Sequence, residues 1–418
     1  MCSYAYLTRF SLKHYVEHML CSLSRFLILL FIISALGSAP LHASVKVGDF
    51  KNFDAVLTLE KLGNQYQISE HNTVVKVTNR LVVKSRRGID AKALINISPH
   101  ITNPITIFEM QYSKYWLVEI SDVDLLGIVI TELESYAGIE LVQPDLLQIS
   151  RKTSRADISR EKKIDEHYFS ALGLGAESAR GRGVNVAVID DGVDLAHPAL
   201  AKTDVRFSYD TESRSLMAKP VLTEDTHGTK VAGVIFSRSD TLSGLAPNAS
   251  LISIRQPSSW TSETLLSFYL AKLNNADVIN CSWHTQLLLE PIADVVNDLA
   301  AFGRQGRGAV VVFAAGNDGM VIGPGMTEAS IDSAFVVGAS DIYGRPKKFS
   351  NTGKSVDFYV YGGRYKTTAV EGGDTYFSGT SLSAAIVSGL TASLLSDNPE
   401  LSLSQISKKL SAFSKVND

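Results

Sequence analysis

Two hydrophobic rhythms divide this chain. Between residue 44 and about residue 150, apolar and polar positions alternate in TVVKVTNRLVVKS and YWLVEIS, the pattern of strands with one buried face. In the same zone VDLLGIVITELESYAG spaces its apolar residues as a helix does. Together these predict a small α+β unit. From about residue 165 the strands become continuous apolar runs, VNVAVI, ASLISIR, ADVINCS, GAVVVFAA and AFVVGAS, with helical stretches between them. Strands without alternation are buried on both faces. The expected fold is therefore α/β, a parallel sheet sandwiched between helices. The polar, charged stretch SRKTSRADISREKKIDEH separates the two zones and reads as an exposed linker.

A third pattern precedes both zones. Arg25 leads into FLILLFIISAL, an apolar run of 11 residues, and then into GSAPLHA ending at Ala43. That run is shorter than the roughly 20 residues a membrane-spanning helix needs, so a cleaved secretory signal over residues 1–43 fits better than an anchor. Counted from Met19 the leader has 25 residues and ordinary proportions. Its removal leaves Cys281 as the one cysteine of three, no internal disulfide, and no membrane span. Such a chain suits bacterial-type export, secreted or periplasmic, with a core that carries stability unaided.

Composition narrows the function less than the pattern does. Of 418 residues, 45% are hydrophobic and 20% charged, which is ordinary for a globular protein. A net charge of −3 and the lack of a basic stripe give no case for nucleic acid as a partner.

Chemistry-bearing residues gather where a parallel sheet collects ligands, at the carboxyl ends of strands. VNVAVI runs into Asp190-Asp191-Gly192, and GAVVVFAA into Gly316-Asn317-Asp318-Gly319. Singly these are turn sequences. His227 in EDTHGTKVAGVIF, taken alone, is a histidine at the start of a helix. Ser381 in FSGTSLSAAIVSGLTASLLS stands at a helix N-terminus, where serine is an ordinary cap. The same place offers backbone N–H groups and a positive dipole end to a forming oxyanion. As a set, the four supply a hydroxyl, a base, a carboxylate to orient the base, and a side-chain donor in Asn317.

VAVIDDGVDLAHPAL, DTHGTKVAG, GLAPNASL, NADVINCSW, VVVFAAGNDG and FSGTSLSAAIVSG resemble the subtilisin-like serine proteases, in that family's order and spacing. The resemblance implies a triad of Asp190, His227 and Ser381, an oxyanion hole containing Asn317, and peptide hydrolysis through an acyl-enzyme. No cofactor is implied for the chemistry and no metal residue is assigned. Structural calcium is known in the family, but Ala199 replaces an acid at its usual site, and zinc spacings are absent.

Within that family, Asp190-Asp191, the approach KPVLTEDTHGT and CSW resemble the kexin and furin branch. The resemblance gives Asp191 and Glu224 to a pocket for a basic P2 residue; as bare sequence they read equally as solvated turn acids. Ser282, Trp283 and His284 fall on the strand that pairs with substrate backbone, His284 at a position usually glycine. Trp260 falls near the S4 site. Aligning MTEASIDSAFVVGA puts Met326 at the base of the S1 pocket, suited to an apolar P1 residue, with Glu328 pointing elsewhere.

Residues 44–163 then read as a propeptide, with GIELVQPDLLQ as its closing strand, acting as chaperone and intramolecular inhibitor. Residues 164–418 read as the peptidase domain, and cleavage is expected after Lys163 or Lys152. The leading expectation is an exported serine endopeptidase acting on polypeptides and made as an autoinhibited prepro-enzyme. Two alternatives accompany it: an inactive binding protein on the same fold, motivated by His284, and a narrow processing protease reading basic P2 residues.

Overall fold

A computed structural model describes residues 44–148, 180–239 and 241–411. The leader, the linker and the two expected cleavage sites lie outside the described residues. Lys46–Glu60 and the described residues from Gln65 onward form one compact unit.

The first zone forms seven strands and two helices: β1 (Val45–Asn52), β2 (Ala55–Leu62), β3 (Gln65–Ile68), β4 (Thr73–Arg86), α1 (Ala91–Ile97), β5 (Ile101–Glu109), β6 (Ser113–Ile120), α2 (Leu126–Glu134) and β7 (Ile139–Gln148). Long β4 pairs antiparallel with both β6 and β7. Its alternating sequence buries Val75, Leu81 and Val83 on a core shared with Phe108, Tyr115 and Leu133.

The second zone is a seven-stranded sheet built from β8 (Asn185–Asp190), β9 (Asp204–Asp210), β10 (Ser250–Arg255), β12 (Val278–Cys281), β13 (Val310–Ala314), β14 (Phe335–Ser340) and β15 (Phe358–Tyr361). Their order is β15-β14-β13-β12-β8-β10-β9, with every pairing parallel. The apolar runs are explained by two-sided burial. Ala187 and Ile189 of β8 join one core, while Val186 and Val188 join the other. Helices α4 (Thr261–Leu273) and α5 (Glu290–Gly306) cover the first face; α3 (His227–Phe236), α6 (Thr380–Asp397) and α7 (Leu403–Leu410) cover the second. After β8 the chain moves to one side for β9 and β10, then crosses to β12 on the other. The carboxyl end of β8 is thus the topological switch point, where such sheets bind ligands. A short hairpin of β16 (Tyr365–Thr368) and β17 (Asp374–Phe377) leads into α6.

The first zone docks on the N-terminal ends of α4 and α5. Strand β7 pairs antiparallel with β11 (Ser259–Trp260), the two-residue strand just before α4. Asp145 then caps α4, accepting from Ser262 N at 2.9 Å and Ser262 Oγ at 2.7 Å. Asn52 Oδ1 caps α5 through Glu290 N at 2.8 Å. Both caps answer N–H groups that a helix start leaves without partners. Gln148 uses its side-chain amide as a strand would use its backbone, bonding Leu287 N and O at 2.9 and 2.8 Å. Arg80 pairs with Asp145 at 2.9 Å and lies over the Trp260 ring, 5.0 Å from its centroid. Trp260, expected near S4, is therefore covered by an arginine of the first zone. Burial pushes the Asp145 carboxyl above its usual range, against the pull of Arg80 and the Ser262 donors.

Removing the Asp145 carboxylate strands both Arg80 and the α4 N-terminus. Asp145→Ala is expected to cost about 3–5 kcal/mol, the range for breaking one side of a buried ion pair. Asp145→Asn, which keeps an acceptor for Ser262, should cost less. Urea-unfolding midpoints of the full chain test this, and equal losses for the two variants would contradict the capping role.

Candidate active site

The site assembles at the β8 switch point. Asp190 is the last residue of β8 and is buried; His227 is the first residue of α3; Ser381 is the second residue of α6. His227 Nδ1 lies 2.9 and 2.8 Å from the two Asp190 carboxylate oxygens. Facing a carboxylate, Nδ1 is the donating ring nitrogen, and in the neutral imidazole the lone pair then lies on Nε2. The imidazole also meets the Phe377 ring edge-on, with centroids 5.3 Å apart.

Asp191 has a different task from its neighbour. Its carboxylate accepts from His227 N at 3.1 Å and Gly228 N at 2.7 Å. It caps α3 in place of Thr226, whose side chain makes no capping bond. Of the two sequence readings, the solvated turn acid does not hold: Asp191 is buried and engaged with the helix that bears the histidine. Gly228 makes the approach possible, since a Cβ there would stand 2.4 Å from Gly192 O. Glu224 is exposed, with its backbone oxygen accepting from Thr226 N.

The acid of this loop that enters the structure is Asp225, which the sequence analysis did not single out. It bonds Val221 N and Leu222 N, each at 3.0 Å, and pairs with Arg255 at 2.7 Å. Arg255 is fully buried and also meets Asp210 and Glu212. Burial alone would lower its pKa, but Glu212, Asp225 and Asp210 together hold it above the usual range. A signal was available: an arginine ending the buried strand ASLISIR requires carboxylates around it.

Ser381 Oγ donates to the Ser282 carbonyl at 3.0 Å, and Ser282 Oγ donates back to the Ser381 carbonyl at 3.1 Å. His227 Nε2 is buried without a hydrogen-bond partner, so the serine–histidine link is open in this structure. Such links are commonly loose before substrate binds. Asn317 Oδ1 accepts from Thr380 N at 2.9 Å and Thr380 Oγ1 at 3.0 Å. Two donors on one atom settle which end of the amide is oxygen, so Nδ2 is its donor end. Gly379 precedes this turn at φ +94°, and a Cβ there would press on Asn317 Oδ1 at 3.2 Å.

The remaining expected substrate-binding residues divide. Ser282 lies against Ser381. Trp283 is turned into the core, bonding Ile189 O at 2.8 Å and packing edge-on to Phe313, because its indole is large and its one donor finds a strand carbonyl there. His284 is buried, donates from Nδ1 to Thr285 O at 3.1 Å, and stands 3.9 Å from Asp318. Met326 folds onto its own loop, its sulfur accepting from Gly323 N at 3.0 Å. Glu328, expected to point elsewhere, reaches the Ser282–Thr285 segment that follows β12. It accepts from Thr285 N at 2.8 Å and Thr285 Oγ1 at 2.7 Å.

Residues 181–412 match the model of the subtilase family, peptidase S8. The chain belongs to the subtilase family. Among relatives of this subtilase, subtilisin DY of Bacillus licheniformis is 31% identical over 253 residues, covering 57% of this chain and 85% of that protein. The thermophilic serine proteinase of Bacillus sp. (strain AK1) is 32% identical over 225 residues, 51% of this chain and 52% of that one. The KEX1 protease of Kluyveromyces lactis is 31% identical over 254 residues, 56% of this chain and 33% of that one. The chain thus spans about half the length of the second relative and a third of the last. An epidermin leader peptide processing serine protease from Staphylococcus aureus shares the fold, with a TM-score of 0.60 at 18% identity over 80% of this chain and 93% of that one.

In this subtilase Asp191 should behave differently from Glu224. Asp191→Ala is expected to destabilise the chain by about 1–2 kcal/mol through the lost α3 cap. Glu224→Ala should stay within about 0.5 kcal/mol. Thermal unfolding of the two variants checks this, and a neutral Asp191→Ala would remove the capping assignment.

Proposed function

We propose that this protein is an exported serine endopeptidase in which His227, oriented by Asp190, activates Ser381 for acyl transfer. The observation that carries this reading is the convergence of a buried Asp190–His227 pair, a helix N-terminus bearing Ser381, and an Asn317 amide turned by Thr380 to present its donor. In the reaction Ser381 Oγ attacks the scissile carbonyl while its proton passes to His227 Nε2. The carbonyl oxygen becomes an anion beside Asn317 Nδ2 and the backbone N–H groups opening α6. His227 then protonates the leaving amine, and water repeats the sequence in reverse to release the acyl group.

The first zone, in this reading, is a propeptide that inhibits until cut away, and the leader directs export. The caps from Asp145 and Asn52, the β7–β11 pairing and the Arg80–Trp260 contact support the inhibitory part. The inactive-protein alternative rests on His284, whose imidazole lies against the Gly316 backbone and leaves the Asp190–His227 geometry intact. Labelling of the processed protein with a fluorophosphonate should modify Ser381, and absence of that adduct would sink the enzyme reading. Ser381→Ala should lower kcat by about 10⁶-fold and Asn317→Ala by about 10²–10³-fold. N-terminal sequencing of the processed form should start at Thr153 or Ile164.

One observation favours a narrower, basic specificity. Glu328 is buried at 2% exposure, with both oxygens bonded by Thr285 and no cation at ion-pair distance among the described residues. A buried carboxylate bonded to the segment that follows Ser282 suits a lysine or arginine P1 side chain better than the apolar residue first expected from Met326. Glu328→Gln should then reduce cleavage after Lys and Arg by about 30-fold or more relative to cleavage after Leu. An unchanged ratio in a peptide-library profile would exclude this assignment.

A further inference from the structure

Asn317 sits in a loop of six residues, Ala315–Met320, whose backbone is held by one side chain from another segment. Asn351 is 2% exposed and bonds this loop on both sides of Asn317. Its Nδ2 donates to Ala315 O at 3.0 Å, and its backbone N donates to Gly316 O at 2.9 Å. Its Oδ1 accepts from Asp318 N at 3.0 Å and from Met320 N at 3.1 Å. The peptides before and after Asn317 are therefore clamped by the same residue. Gly316, at φ +102°, marks how closely the clamp is set: a Cβ there would stand 2.4 Å from Asn351 Nδ2 and 2.7 Å from His284 Nε2. With the backbone fixed from one side and the side-chain oxygen held by Thr380 from the other, the Asn317 amide has little freedom left.

We propose that Asn351 is a positioning residue for the oxyanion hole, acting on the reaction through Asn317 without touching substrate. The proposal rests on the peptidase reading above. An oxyanion donor stabilises the transition state in proportion to how well it is already aimed, so loosening its loop reduces kcat and leaves substrate affinity nearly unchanged. A residue with only a structural part would instead lower the amount of folded protein, or change KM and kcat together.

The test is a double-mutant cycle in the processed enzyme, with kcat and KM measured for a peptide amide substrate. Asn351→Ala is expected to lower kcat by roughly 10- to 50-fold, less than the about 10²–10³-fold expected for deleting the donor itself. KM should stay within about threefold. In the Asn317→Ala background the same change should cost less than about threefold, because the group it positions is gone. If Asn351→Ala does not fold, Asn351→Leu removes the same side-chain hydrogen bonds while filling the space, and replaces it in the cycle. A peptide boronic acid, whose adduct places an oxyanion in the hole, should lose affinity in parallel with kcat. Equal losses of kcat in both backgrounds, or a folded variant with unchanged kcat, would overturn the proposal. Failure of the parent enzyme to cleave peptide at all would instead count against the peptidase reading, so the two failures are distinguishable.

Discussion

Two successive carboxylates at one strand end organise the site. Asp190 and Asp191 leave β8 together, and both are answered by the first turn of α3: one by the His227 ring, the other by the His227 and Gly228 backbone. Burying two like charges side by side is costly unless each is met by donors. Here three donors come from a single helix start, and Asp191 N adds a bond to Asp190 at 2.8 Å, so α3 and the two acids hold one another in place. The histidine is consequently fixed through its backbone and its imidazole at once. Gly228 is what lets the helix come close enough, and Arg255 with Asp225 anchors the turn that delivers it.

The same device recurs where the first zone meets the second. Asp145 and Asn52 reach across to the exposed N–H groups of α4 and α5, and Gln148 completes the edge with a side-chain amide. Helix starts in this fold thus carry two kinds of work. Those of α3 and α6 face the site, while those of α4 and α5 receive the N-terminal zone. Lys272, near the end of α4, adds a contact at the opposite end of that helix, donating to Glu109 O and lying over the Phe108 ring. α4 is therefore gripped along its whole length, by Arg80 on Trp260 at one end and by Lys272 on Phe108 at the other.

Much of this was legible before the structure. Apolar runs buried on both faces identify the strands of the parallel sheet, and Asp, His, Asn and Ser punctuate the runs where the chain turns. Asp190, Asp191 and the Asn317 loop are readable because they directly follow those runs. The side chains that support them were less legible, since their direction depends on contacts between distant segments. Trp283 follows a strand and was expected in the cleft, yet its indole turned to Ile189 O. Glu328 and Met326 lie two positions apart on one loop, and the short 3₁₀ turn at Glu328–Ser330 sent the acid inward and the thioether back onto Gly323. Asn351 belongs to FSNTG, which by itself reads as a turn. Its four bonds to the Asn317 loop have no trace in local sequence.

The open serine–histidine link has a physical place in this arrangement. Ser381 Oγ and Ser282 exchange hydrogen bonds through each other's carbonyls, and Asn280 extends the pattern by donating to Ser282 Oγ while accepting from Ser388. Ser381 thus shares neutral bonds with Ser282, whereas His227 Nε2 is buried without a hydrogen-bond partner. An unsatisfied buried acceptor is a cost the fold carries at a site of action. Moving the Ser381 hydroxyl from the Ser282 carbonyl to His227 Nε2 exchanges one neutral bond for another and satisfies that acceptor. The Ser282 carbonyl released in the same step lies on the strand expected to pair with substrate backbone, where an incoming N–H can take it up.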